Sequence, residues 1–258
     1  MLKKLNEILE YKELLKNLTF KELKLKYKNS TLGFFWSFLN PVVMMVVYTF
    51  AFKYVLKIAV PNFTVFLLCG LLPWIFFQGA VQSSTGSIVA NGGLIKKVYF
   101  PREIVPLSMV LANFINFLIT VLVLILSLFI FKVNITSEAL LLPLILFFLL
   151  FITIGLSFIL SALNVIYRDV SHLIEVIFMA WMYMTPVVYP LDLVPKTFQK
   201  ILLFNPMTLV VQSIRQILLE NSIPNIEYVL GLMAYSIILI GVGHVVFMRI
   251  EKNFAEEI

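Results

Sequence analysis

The residues of this chain best suited to chemistry are aromatic and amide side chains at helical spacing. Trp36, Asn40, Met44, Tyr48 and Phe52 recur at steps of four, a stripe that drifts slowly around one helix. Trp74, Phe77, Gln78 and Gln82 form a second face, and Trp181 with Tyr183 a third. Rings with polar edges stack on sugar faces while making few strong contacts, which suits a surface along which a polymer slides. The same stripes serve helix–helix packing or, for Trp36 and Tyr189, anchoring at a membrane interface.

Other chemistries lack their residues. No Gly-x-x-x-x-Gly-Lys-Ser/Thr cradle for ATP phosphates occurs, and no Gly-x-Ser-x-Gly. The single cysteine, Cys69, permits neither an internal disulfide nor a cysteine-rich metal site. His172 and His244 read as hydrogen-bonded interior groups. No catalytic residue and no metal site are expected, and the chain is not expected to be an enzyme. Ion-coupled transporters keep ionisable groups or broken-helix ion sites at mid-membrane. Here the centres of the first four apolar stretches carry none, and Glu175 lies near the inner end of the fifth. That weighs against an ion gradient as the drive, with backbone carbonyl sites for sodium still open.

The elements that carry these residues are apolar stretches. Of 258 residues 61% are hydrophobic and 13% charged, against about 25% charged in a soluble domain. No charge occurs in 29–52, 58–95, 104–131, 139–167, 176–191 or 228–248. A membrane-crossing helix needs about 20 apolar residues, so an all-α membrane protein with six transmembrane helices is expected. The spans fall at about 33–54, 62–88, 104–131, 139–165, 171–189 and 227–248. Residues 1–28 read as a separate amphipathic region at the membrane interface, with Leu5, Ile8, Leu9, Leu15 and Leu18 on one face. They hold no signal peptide, and 29–258 form the six-span domain. Two short segments, 198–204 and 207–219, read as outer-face helices between spans five and six.

Six spans put both termini on one side. Fourteen of the twenty Lys and Arg residues fall there, which marks that side as cytoplasmic. The net charge of +6 is thus a topology signal helped by anionic lipid headgroups, and no nucleic acid is expected as partner. The first loop on that side, 91–106, sets apolar Leu94, Ile95, Val98, Tyr99 and Phe100 between Gly92-Gly93 and Pro101. Apolar and aromatic residues rimmed by charge suit a protein docking site, or a loop tucked against the membrane.

Four segments together resemble one family: 25–41 (LKYKNSTLGFFWSFLNP), 94–103 (LIKKVYFPRE), 164–170 (NVIYRDV) and 184–190 (MTPVVYP). They are similar to the type-2 ABC exporter permeases for polysaccharides, such as O-antigen and teichoic acid. The resemblance implies a homodimer bound to two copies of a separate ABC ATPase, with ATP and Mg on that partner and no cofactor on this chain. It implies a coupling helix over 94–101, within a coupling segment of Leu94, Ile95, Lys96, Lys97, Val98, Tyr99, Phe100, Pro101, Arg102 and Glu103. Lys96, Lys97 and Arg102 are candidates to meet the partner or a substrate diphosphate. Tyr167, Arg168 and Asp169 form the second cytoplasmic loop. The outer segments at 191–220 resemble gate helices. A polyprenyl-diphosphate-linked glycan would leave the cytoplasm across a bacterial inner membrane. Its channel would be lined by spans one, two and five, which carry the aromatic stripes. A small-molecule ABC-2 permease, an ion-coupled transporter and a membrane scaffold are the rival readings.

Overall fold

A computed structural model of the chain describes Glu7 and residues 9–28, 30–57 and 59–257. The described residues form helices, turns and irregular segments, with no strand among them. Helix α1 (Lys12–Tyr27) lies along α6 (Ile104–Ile130), and its Leu14, Leu15 and Leu18 rest on buried side chains. Leu5 and Ile8 of the expected amphipathic face lie outside the described residues. Helix α2 (Trp36–Thr49) runs on into a π-helical turn, Phe50–Val55. Helix α3 (Phe63–Thr85) is the centre of the molecule. It is apolar all round, as a helix must be when neighbours enclose it, and 18 of its 23 residues are buried.

Two short helices, α4 (Ser87–Ala90) and α5 (Gly92–Ile95), lead to α6. A 3-10 turn (Ser137–Leu141) opens α7 (Leu142–Ile166), and α8 (Val170–Tyr183) follows a tight loop. Then come α9 (Lys196–Leu203), α10 (Pro206–Leu218), α11 (Ile226–Ile250) and a last turn, α12 (Phe254–Glu257). Helices α7 and α11 pack backbone to backbone. A Cβ placed on Gly155 would collide with the Leu239 carbonyl group, and one on Gly243 with the Gly155 carbonyl oxygen. Small residues permit this approach, which is how helices associate where no water drives them together.

The buried side chains form two cores. The larger surrounds α3, with Phe76 stacked on Phe117 at 5.1 Å between ring centres. The smaller, around Phe100, Ile104, Val165, Phe247 and Phe254, sits where α1, the 91–103 loop and the last turn of the chain meet. That end is called here the terminal end.

Five helices are long and apolar enough to cross a membrane, and the bent pair α9–α10 makes a sixth candidate. Over the expected span at 171–189 the helix covers only part of the stretch. Helix α8 has 14 residues, a rise of about 21 Å against a hydrocarbon core of about 30 Å. Beyond Met184 the chain is irregular and 185–188 are buried, with Thr185 and Val187 fully enclosed. Pro186 cannot supply the amide that would continue the helix. Helices α9 and α10 meet at 102°, and the two differ in setting. No residue of α9 is buried, whereas ten of the thirteen in α10 are, most of them in the larger core.

Candidate functional site

The 91–103 loop is divided into an anchor and a presented face. Ile95, Phe100 and Pro101 are buried, Leu94 half-buried, and the Glu103 carboxylate is fully enclosed at the positive end of α6. Lys96, Lys97, Val98 and Tyr99 face outward, and Tyr99 is 82% exposed. The expected helix over 94–101 is shorter and earlier. After α5 the amides of Lys97 and Val98 both donate to the Leu94 carbonyl at 3.1 Å, and the turn ends there. Phe100 then enters the smaller core and Pro101 lacks a donor, so Tyr99 projects from a bend.

Arg102 does not point outward. Its Nη1 donates to the Glu251 carbonyl at 2.5 Å, and its guanidinium stands 5.8 Å from the centre of the Phe254 ring. In the second loop Tyr167, Arg168 and Asp169 are exposed. Arg168 Nη2 donates to the Glu257 carbonyl at 2.8 Å. The Asn164 side-chain oxygen accepts from the Ser171 amide at 3.1 Å and closes the corner between α7 and α8.

The aromatic stripes divide as well. Trp36 and Asn40 are exposed, while Met44, Tyr48 and Phe52 rest half-buried on the larger core. Tyr183 is exposed, and its carbonyl accepts from the Tyr189 hydroxyl at 2.9 Å. Trp74 and Phe77, expected to line a channel, are 1% and 0% exposed. Their rings meet Phe178 and Trp181 edge-on, at 5.9 Å for Trp74–Phe178 and 5.3 Å for Phe77–Trp181. Side chains enclosed within one copy offer a substrate no surface, so these two hold α3 to α8 instead. Gln78 is half-buried and accepts from the Trp74 indole N–H at 3.0 Å. The Trp181 indole donates to Asn205 Oδ1, also at 3.0 Å.

Arg215, one of the six Lys and Arg residues outside the terminal side, is singled out by no spacing or motif in the sequence. It is 2% exposed and lies over the Phe66 ring, 3.5 Å from the centroid. Its guanidinium donates at 2.7 Å to the carbonyls of Pro186 and Val187, and at 3.4 Å to that of Phe66. Irregular backbone at membrane depth survives only where protein groups satisfy it, and Arg215 supplies that need where α8 has stopped. Asn205 helps. It caps α10 by accepting from the Met207 amide and donates to Thr185 Oγ1 at 2.8 Å. The signal in the sequence is a lone arginine within an apolar segment, downstream of Thr185-Pro186.

Comparison with known proteins fits these elements. Residues 13–219 match the family model for the ABC-2 type transporter. The O-antigen export system permease protein RfbA of Klebsiella pneumoniae is 37% identical over 245 residues, covering 95% of this chain and 94% of that protein. The O-antigen export system permease protein RfbA of Myxococcus xanthus is 34% identical over 260 residues, covering 100% of both. The polysialic acid transport protein KpsM of Escherichia coli is 25% identical over 213 residues, covering 79% of this chain and 80% of that protein. With its long apolar helices, the chain is a multi-pass membrane protein and belongs to the ABC-2 type transporter family.

Proposed function

We propose that this chain is the membrane-spanning permease subunit of an ATP-driven exporter, moving O-antigen-like, lipid-linked polysaccharide out of the cytoplasm across a bacterial inner membrane. The observation that carries the reading is the end-to-end likeness to O-antigen export permeases, at 34% and 37% identity. The chain has no phosphate cradle of its own, so hydrolysis belongs to a separate ABC ATPase that holds ATP and Mg. Two copies of the permease bind two copies of that ATPase. The terminal end faces the cytoplasm, in keeping with its excess of Lys and Arg. There Tyr99 and Val98, with Lys96 and Lys97 beside them, enter the ATPase, while Ile95 and Phe100 root the loop in the permease. Tyr167 and Asp169 border that contact.

Movement of the loop shifts the two copies between closed and open states. The glycan, led by its polyprenyl diphosphate, passes between them along α2 and α8. Trp36, Asn40, Met44, Tyr48 and Phe52 offer weak repeated contacts, joined by Gln78, the open edge of Trp181 and Tyr183. Helices α9 and α10 close the outer end. Reconstitution tests this. Proteoliposomes holding permease, ATPase and a polyprenyl-diphosphate-linked glycan are expected to translocate glycan only with ATP and both proteins. Translocation by the permease alone, or driven by an imposed ion gradient without ATP, would overturn the reading.

A further inference from the structure

The last turn of the chain joins three things that the sequence keeps apart. Arg102, in the first loop of the terminal end, donates to the Glu251 carbonyl. Arg168, in the second loop, donates to the Glu257 carbonyl. Between those two carbonyls Phe254 is fully buried, edge-on to Phe247 of α11 at 5.4 Å and in one core with Phe100 of the first loop. Both arginines bind backbone oxygens, so the bonds depend on where the tail lies and not on which side chains it carries. Phe247 in turn meets Phe158 of α7 at 5.5 Å. Helices α7 and α11 are themselves locked by the Gly155–Gly243 crossing.

We infer that residues 251–257 are a clasp that makes the two loops, α7 and α11 one rigid body, with Phe254 as its positioning residue. Force applied at Tyr99 by an ATPase is then delivered to spans four and six as a unit, and α2 and α8 move relative to that body. Only two residues of α2 and two of α8 are buried, and the ring contacts of α8 run to α3, outside that body, so little packing with the body itself opposes such a shift. The inference rests on the proposed export function for its coupling role, but the clasp itself does not need a partner.

Two readouts test it. Cysteines replacing Tyr99 and Tyr167 carry spin labels on the purified permease; the native Cys69 is fully buried and spared the label. The distance between labels, read by double electron–electron resonance, is expected to be one narrow distribution. Phe254→Ala is expected to broaden it and Phe254→Leu to restore it. In proteoliposomes with the ATPase, Phe254→Ala without labels is expected to go on hydrolysing ATP while glycan moved per ATP falls about ten-fold, the size of a typical coupling energy. An unchanged distance distribution overturns the clasp. A broadened distribution with unchanged glycan per ATP overturns its role in coupling. If Phe254→Ala does not fold, Arg168→Ala, at an exposed side chain bonded to the tail, carries both readouts. Failure of the unmodified proteins to export would overturn the proposed function, and the label distance would still decide the clasp.

Discussion

At Arg215 a single buried charge is stabilised by carbonyl oxygens and an aromatic face. The planar fork of guanidinium spreads its donors over three nitrogens to meet three separate carbonyls, a span that the single nitrogen of an ammonium does not match. Arg215→Lys is therefore expected to leave carbonyls of the 184–190 segment unpaired. The cost is about 3 kcal/mol, read as a lower melting temperature in detergent; a melting temperature equal to that of the native chain would sink this account. Tyr99 is the opposite case, a large side chain with almost no intramolecular contact. Tyr99→Asp is expected to leave the fold's stability within about 0.5 kcal/mol. It would weaken ATPase binding at least about ten-fold, because a carboxylate would be desolvated at the interface. Co-purification with the ATPase measures it, and undiminished recovery would exclude Tyr99 from the docking surface. The exposure of Tyr99 was legible in the sequence, because a short loop that sets five apolar residues between a glycine pair and a proline cannot bury them all. Arg215 was not, since its partners are main-chain atoms that any sequence would offer.

Elements were legible to the extent that lipid dictates their length. Helices of this length follow from the rule that backbone within hydrocarbon must bond to itself, and the uncharged runs 104–131, 139–167 and 228–248 end within a few residues of their helices. The fifth stretch is helical only in part, because an apolar run does not distinguish a helix from an irregular segment buried in protein; Pro186 and Pro190 were the available warning. The faces of helices were less legible than their ends. Trp74 and Phe77 recur at the same spacing whether they face a lumen or a neighbouring helix, and here the neighbour is α8. The α7–α11 crossing is another such case, since glycines in spans two, four or six look alike in sequence. Gly155 is in tight backbone contact, whereas a Cβ at Gly241 would meet nothing within 4 Å. Gly155→Ala is thus expected to push the two helices apart at a cost of about 1–3 kcal/mol, and Gly241→Ala to change stability by less than about 0.5 kcal/mol. Thermal unfolding of the two variants in the same detergent compares them directly. Equal melting temperatures would mean that the crossing contributes little.

Across the whole molecule, exposed apolar side chains are abundant on α2, α8 and α11, but the company they keep differs. On α11 the exposed run Ile237, Ile238, Val242 and Val245 is wholly aliphatic, as a surface bathed in acyl chains should be. On α2 the exposed side chains include Asn40 and Trp36, and on α8 Glu175, Tyr183 and His172, which is exposed and not the interior group expected of it. Amides and carboxylates facing lipid are costly, so the α2 and α8 faces fit a second copy or a wet passage between copies better than hydrocarbon. That difference gives an outcome that does not depend on knowing the substrate. Cysteines replacing Asn40 and Tyr183 are expected to react with a charged, membrane-impermeant maleimide in native membranes at least about ten-fold faster than one replacing Ile238, because a thiol held in lipid meets neither water nor the reagent. The buried Cys69 keeps the background low. If ATP binding by the partner opens the passage, the rate at Asn40 rises with nucleotide while that at Ile238 stays constant. Equal, slow labelling at all three positions, with and without nucleotide, would remove α2 and α8 from any conduit and return their polar residues to simple helix packing.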